Sequence, residues 1–233
     1  MDSPPLKALA RDLWIHDGPA VPFYGLPYST RMTVVRLKDG SLWIHSPAQL
    51  SDSLTTAIDA LGPICHLIAP NKLHHLSLAD WQRRYPQAGA YGAPGLAEKR
   101  PDLAFDGILT DSPPSAWQGQ IDQHIFKGSA VMMEAVFFHP PSRTLILTDL
   151  VENFPRDYFH GWRRWAARLS GILAPNGRTP LDWRLSFLFN KSQARQSLQQ
   201  LYDWRPERIL LAHGQWIEKD AMAFLRRSFS WLD

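Results

Sequence analysis

The chain has 233 residues, 45% of them apolar and 20% charged, which suits one domain over 1–233 with a sizeable core and excludes a disordered polypeptide. A formal net charge of +3 is a mild basic excess, not the clustered charge of a nucleic-acid binder. No apolar run approaches the ~18 residues needed to span a bilayer, so no membrane insertion is expected. The start, Met1-Asp2-Ser3-Pro4-Pro5, lacks the basic and apolar stretches of a signal peptide. Cys65 is the only cysteine, so no internal disulfide can form, and a cytoplasmic, reducing location is the expectation.

In chain order, Gly18 to Tyr28 reads as a loop rich in Pro, Gly and Tyr. Arg31 to Leu37 and Ser41 to His45 read as strands joined through Lys38-Asp39-Gly40, a strong hairpin signal. Ser51 to Leu61 reads as a helix capped by Ser51 or Ser53 and stopped by Gly62-Pro63. Ile64 to Ala69 is a short apolar run of buried-strand type, in which Cys65 and His66 are core candidates. It leads into Pro70-Asn71-Lys72-Leu73-His74-His75, and Ser77 to Arg84 follows as a helix. The Pro- and Gly-rich stretch after it carries β-like pieces near Ala90-Tyr91 and Phe105 to Leu109.

Ile121 to Phe126 and Val131 to Phe138 read as strands. A turn at His139 to Arg143 enters the apolar run Thr144 to Thr148, which ends in Asp149. Residues 156–173 and 190–203 read as helices, Arg208 to Ala212 as a buried strand ending in His213-Gly214, and 218–232 as a terminal helix. Hairpins followed by alternating helices and strands suggest two sheets face to face with helices outside. Three buried strands end in residues that ligate metals, and loops at strand carboxyl ends are where layered α/β folds carry their chemistry. Imidazole and carboxylate suit zinc, iron or manganese, so the inference is one hydrolytic-type site built from three distant stretches.

Four local stretches carry a family resemblance: Gly40 to His45, Leu67 to His75, Ser142 to Asp149, and Leu211 to Gly214. With the element order, they make the chain resemble the metallo-β-lactamase fold, the four-layer αββα sandwich shared by glyoxalase II and other metal-dependent hydrolases. Within it, the chain looks like a branch with a double histidine in the first metal loop. The family loop reads His-x-His-x-Asp-His. Aligning its last His with His75 puts His74 on the Asp position and Pro70 and Lys72 on the first two His positions. The matching position for the family's later His is Ile125, with His124 one place off. The resemblance therefore implies that one half-site is lost and that His74, His75, Asp149 and His213 hold a single divalent ion. Zinc is the first expectation, with iron or manganese as alternatives. It also implies that Asp149 orients a metal-bound water and that His74 stands where the family's nucleophile-steering Asp would be.

Each residue has a plainer reading beside this one. His74 and His75 suit an exposed polar loop, Asp149 a loop cap, and His213 a strand-end histidine bonded to backbone. His45-Ser46-Pro47 reads as structural, and Glu134 either as a buried partner of a metal-site histidine or as a residue on a solvated face. Arg156 to Leu169 interleaves aromatics with arginines. It reads as a helix packed on the sheet with a basic edge rather than as a membrane or nucleic-acid surface, and in the resembling family this stretch often roofs the active site. A small-molecule substrate, anionic or aromatic, is the partner expected on the hydrolase reading. A degenerate fold acting as a binding or scaffold protein is the rival.

Overall fold

Period-2 alternation along short strands decides the architecture, because each strand sends successive side chains to opposite faces. The computed structural model describes residues 4–233, so the first three residues of the Met1 to Pro5 start lie outside the described residues. The first sheet runs in chain order: β1 (Lys7–Ala10), β2 (Leu13–Phe23), β3 (Leu26–Arg36), β4 (Leu42–His45), β5 (Ile64–Ala69), β6 (Gly89–Gly92) and β7 (Gly107–Ile108). Its first four strands are antiparallel neighbours and β4 to β7 are parallel. The second sheet holds β8 (Asp122–Phe126), β9 (Glu134–His139), β10 (Thr144–Leu147) and β11 (Arg208–Leu211), in the order β11-β10-β9-β8, with only β10 and β11 parallel.

Trp43, Ile68, Phe137, Ile146 and Leu210 point between the sheets and share one core with Trp117 and Ile125. Their neighbours Leu42, Ile44 and Leu67 face outward onto α1 (Asp52–Asp59), α2 (Leu78–Arg84) and α3 (Leu96–Lys99). On the far side, Val136, Phe138, Leu145, Leu147 and Leu211 meet α5 (Leu181–Ser186), α6 (Lys191–Asp203) and α7 (Ala221–Ser228). The result is the expected four-layer αββα sandwich. Each buried large apolar side chain contributes about 1.5–3 kcal/mol. No helix among the described residues is long and apolar enough to cross a membrane.

Most of the expected elements form at or near their predicted bounds, and Ser51 caps α1 by accepting from the Leu54 N–H at 3.3 Å. Three expectations need correction. Gly18 to Tyr28 is not a loop but the turn end of the β2–β3 hairpin, whose two-residue turn places Tyr24 at φ 46° and Gly25 at φ 75°. Both positive values suit the tight primed turn of a hairpin. Pro19 and Pro22 fit this strand because β1 pairs only with Leu13 to Ile15, leaving the rest of that β2 edge unpaired.

The helix expected over 156–173 is only α4 (Trp162–Ser170), ended by Gly171 at φ 82°. It buries Ala167 against Leu26, Tyr28 and Phe154 but leaves Trp162, Trp165 and Leu169 exposed. Finally, Cys65 and His66 are half-buried rather than in the core; His66 rests against Trp117, 5.2 Å between ring centroids.

His45, read as structural, is fully enclosed. Its ring stacks on Trp43 at 5.5 Å and meets Phe137 edge-on at 5.3 Å, and neither ring nitrogen has a hydrogen-bond partner. Burial pushes its pKa down to about 3. Above pH 6.5 the imidazole is neutral both folded and unfolded. Below that the unfolded chain takes up a proton that the folded chain refuses until about pH 3. Stability should therefore fall by about 1.4 kcal/mol per pH unit through this window on account of His45 alone. Urea titrations at pH 6.5 and 4.5 should show that His45→Phe loses about 2 kcal/mol less than wild type between the two. Equal losses would mean that His45 titrates normally in the folded protein.

Candidate metal centre

The ends of β4, β5, β10 and β11 and the start of β3 lie at one rim of the sandwich, and their side chains converge there. His74 follows β5, Asp149 follows β10 and His213 follows β11. His213 Nε2 stands 2.9 Å from Asp149 Oδ1, His74 Nε2 stands 3.3 Å from the same oxygen, and the two Nε2 atoms are 3.1 Å apart. One ligand atom from each of these three residues falls within 4.8 Å of the others.

Each imidazole is turned by a bond at its other nitrogen. His213 Nδ1 lies 2.5 Å from the Ser29 carbonyl oxygen, which can only accept, so Nδ1 carries the proton and Nε2 faces the centre. His74 Nδ1 is 2.6 Å from Ser46 Oγ, which leaves its Nε2 facing the same point. Gly214 also has to be glycine: at φ 78° its Cβ would meet the Asn153 carbonyl oxygen at 2.3 Å. Arg31 ties the sheets together here, donating through Nη1 to the carbonyls of Leu211 (2.6 Å) and Gly214 (2.9 Å).

Asp149 is held by two buried groups. Asn71 Nδ2 donates to Asp149 Oδ2 at 2.7 Å, while Asn71 Oδ1 accepts from the Leu73 and His74 backbone N–H groups. Glu134, fully enclosed, accepts from the backbone N–H groups of Thr148, Asp149 and Leu150 at 2.8 to 3.1 Å. It is thus neither on a solvated face nor a partner of a histidine: it clamps the loop that presents Asp149. Burial raises its carboxyl above the usual carboxylate range, and the Asp149 charge adds to the effect. Asp149 itself is shifted down: burial alone would raise it, but His74 and His213 overcome that. Burial alone would likewise lower His213, yet the Asp149 hydrogen bond and charge hold it up at about 9.

His75 is the correction to the expected quartet. Its N–H donates to the Leu73 carbonyl and its carbonyl accepts from Leu78, so the backbone is already turning into α2. The side chain swings to Arg100, whose Nη1 is 2.8 Å from His75 Nδ1, and it stays outside the group of three. Burial, with Lys99 and Arg100 close by, lowers it to about 4. At the positions of the family's other half-site, Ile125 is buried in the inter-sheet core, Lys72 lies along Gly95, and His124, one place off, pairs with Asp111 at 3.1 Å. Sequence reasoning missed Asn71, Ser46, Ser29 and Tyr28, whose ring packs edge-on against His213 at 5.1 Å. Only Asn71 gave a signal, as a side-chain amide directly after a fully buried strand.

The donor set fits a divalent ion. Two nitrogens and a carboxylate oxygen at 2.9 to 3.3 Å cannot crowd together without a cation between them, be it a proton or a metal. Tetrahedral zinc with bonds of about 2.0–2.1 Å sets its donors about 3.3 Å apart. Three protein ligands also leave a coordination position open, the arrangement of catalytic rather than structural zinc sites. His74, Asp149 and His213 line a cleft of about 520 Å³ walled by Val21, Pro22, Phe23, Pro47, Leu73 and Leu76.

The clamp can be tested without metal. Glu134→Gln preserves shape but turns an amide N–H toward backbone donors, and an unsatisfied buried polar group costs about 1–3 kcal/mol. Denaturant titration should show a loss of that size, and a neutral result would mean that the clamp does not bear on stability.

Comparison with solved structures gives a metallo-beta-lactamase from Pontibacter korlensis at 15% identity, TM-score 0.66, covering 97% of each chain. A metallo-beta-lactamase from Hirschia baltica matches at 10% identity and TM-score 0.64, over 97% of this chain and 96% of that one. FIM-1 from Pseudomonas aeruginosa, in its mono-zinc form, matches at 11% identity and TM-score 0.62, over 97% and 93%. No curated protein matches. The family described as "Domain of unknown function (DUF4336)" matches residues 21–164. The chain therefore belongs to the DUF4336 family and has the metallo-β-lactamase fold.

Proposed function

We propose that this protein is a hydrolase dependent on a single divalent ion held by His74, Asp149 and His213, with zinc the first choice. The observation that carries the proposal is the triangle of donor atoms with edges of 2.9 to 3.3 Å at the base of a cleft. The mono-zinc form of the similar FIM-1 structure supports the idea that one ion can occupy such a fold. A bound divalent ion would supply a water with pKa near ~7 and polarise the scissile bond.

The chain's own residues do the rest. Ser29 and Ser46 fix which nitrogen each imidazole presents. Asn71 takes up Asp149 Oδ2, leaving Oδ1 toward the centre. Asp149 and His74, the residues assigned to catalysis, sit at the floor of the cleft beside the open position. The apolar walls favour a small-molecule substrate with an apolar or aromatic body, and Lys99 at the edge of the cleft suits an anionic group. A rival reading, a non-catalytic binding or scaffold protein, draws on Pro70, Lys72 and Ile125, which remove the other half-site.

Elemental analysis and calorimetric zinc titration should find one tight site per chain in wild type. His213→Ala and Asp149→Asn should lose zinc binding and hydrolysis of ester or amide probes while still folding. His75→Ala should retain zinc, because His75 serves Arg100. Saturation at about 100 times the dissociation constant should add about 2.7 kcal/mol to stability. A wild-type chain that takes up no zinc, iron or manganese would leave the scaffold reading standing. Two tight ions per chain would overturn the single-site assignment.

A further inference from the structure

Among the described residues, seven of the eleven exposed large apolar side chains lie between residues 162 and 189. On α4, Trp162, Trp165 and Leu169 are 64%, 67% and 72% exposed at helical spacing. On α5 and just past it, Leu185, Leu188 and Phe189 are exposed, Phe189 at 94%. The two helices are joined where Ser170, the last residue of α4, accepts from the Leu181 N–H at its Oγ and from Arg184 Nη2 at its carbonyl. Trp162 also reaches the tip of the β2–β3 hairpin, within 3.7 Å of where a Gly25 Cβ would sit, beside exposed Tyr24.

The charge of the chain is concentrated in the same stretch. Residues 156–195 carry eight Arg and Lys against two Asp, a net of +6 on a chain whose total is +3. The rest of the chain is therefore acidic overall, so the mild basic excess is unevenly spread along the sequence. Arg163, Arg164 and Arg168 are exposed, and none is ion-paired among the described residues. Arg163 instead lies over the Trp162 ring at 5.8 Å.

We propose that the α4–α5 face, with the β2–β3 hairpin tip, is a peripheral docking surface for an anionic lipid bilayer. Tryptophan and leucine enter the headgroup boundary of a bilayer while flanking arginines meet anionic headgroups, and α4 has both on a short amphipathic helix. Charge decides the occupant. A second copy related by a two-fold axis would set Arg163, Arg164 and Arg168 against their own images, whereas an anionic surface complements them. The inference does not depend on the hydrolase reading, since it uses none of the metal-centre residues.

The test is co-sedimentation of the full chain with two kinds of vesicle. One is phosphatidylcholine alone and the other phosphatidylcholine with about one third phosphatidylglycerol, each in low and high salt. The chain should bind only the anionic vesicles and be released by salt. Arg163→Ala combined with Arg164→Ala should weaken partitioning by about thirtyfold. Trp162→Ser combined with Trp165→Ser, at exposed positions, should weaken it with unchanged far-UV dichroism and melting. No binding to anionic vesicles in low salt would overturn the proposal, as would equal binding to neutral ones. Dimerisation that Trp165→Ser abolishes, without vesicle binding, would assign the face to a second copy instead.

Discussion

Asp149 is a charged carboxylate buried at the rim of the two-sheet sandwich, and the surrounding structure is organised around the cost of putting it there. Removing such a charge from water costs several kcal/mol unless opposite charge and donors surround it. Here the compensation comes from both halves of the sandwich. Asn71 and His74 belong to the loop after β5 in the first sheet, and His213 and the Glu134 clamp belong to the second. A second buried carboxylate, Glu134, sits close behind and holds backbone N–H groups rather than a cation, so positive charge is still called for on the cleft side. The two imidazoles face that side.

The strands and the site were legible in the sequence to different degrees. Short apolar runs such as Ile64 to Ala69 and Thr144 to Leu147 could be read directly, because burial on both faces leaves few polar positions. The β2–β3 hairpin could not. Its prolines sit where an edge lacks a partner, a fact of sheet order that no local window contains. Among the site residues, His74, Asp149 and His213 were readable as ligand-type groups at strand ends. Their supports were not: Ser29 lies 184 positions from His213 and becomes its partner only when the sheets close. His75 was misread because adjacency to His74 says nothing about direction in a loop already turning into a helix.

The hairpin links the two ends of the functional account. Val21, Pro22 and Phe23 form one wall of the cleft, and the turn at Tyr24 and Gly25 lies beside Trp162 on the basic face. One long strand pair therefore borders both the candidate metal centre and the proposed docking surface. Tyr28 reinforces the connection, packing on His213 on one side and within the cluster of Phe154, Phe159 and Ala167 beneath α4 on the other.

The central claim is that three residues, not four, form the centre. A crystal grown with zinc and measured at the zinc absorption edge tests it most directly. One anomalous peak per chain is expected within bonding distance of His74 Nε2, Asp149 Oδ1 and His213 Nε2, with His75 still on Arg100. A peak bonded to His75, or zinc bound elsewhere with these three side chains turned away, would contradict it.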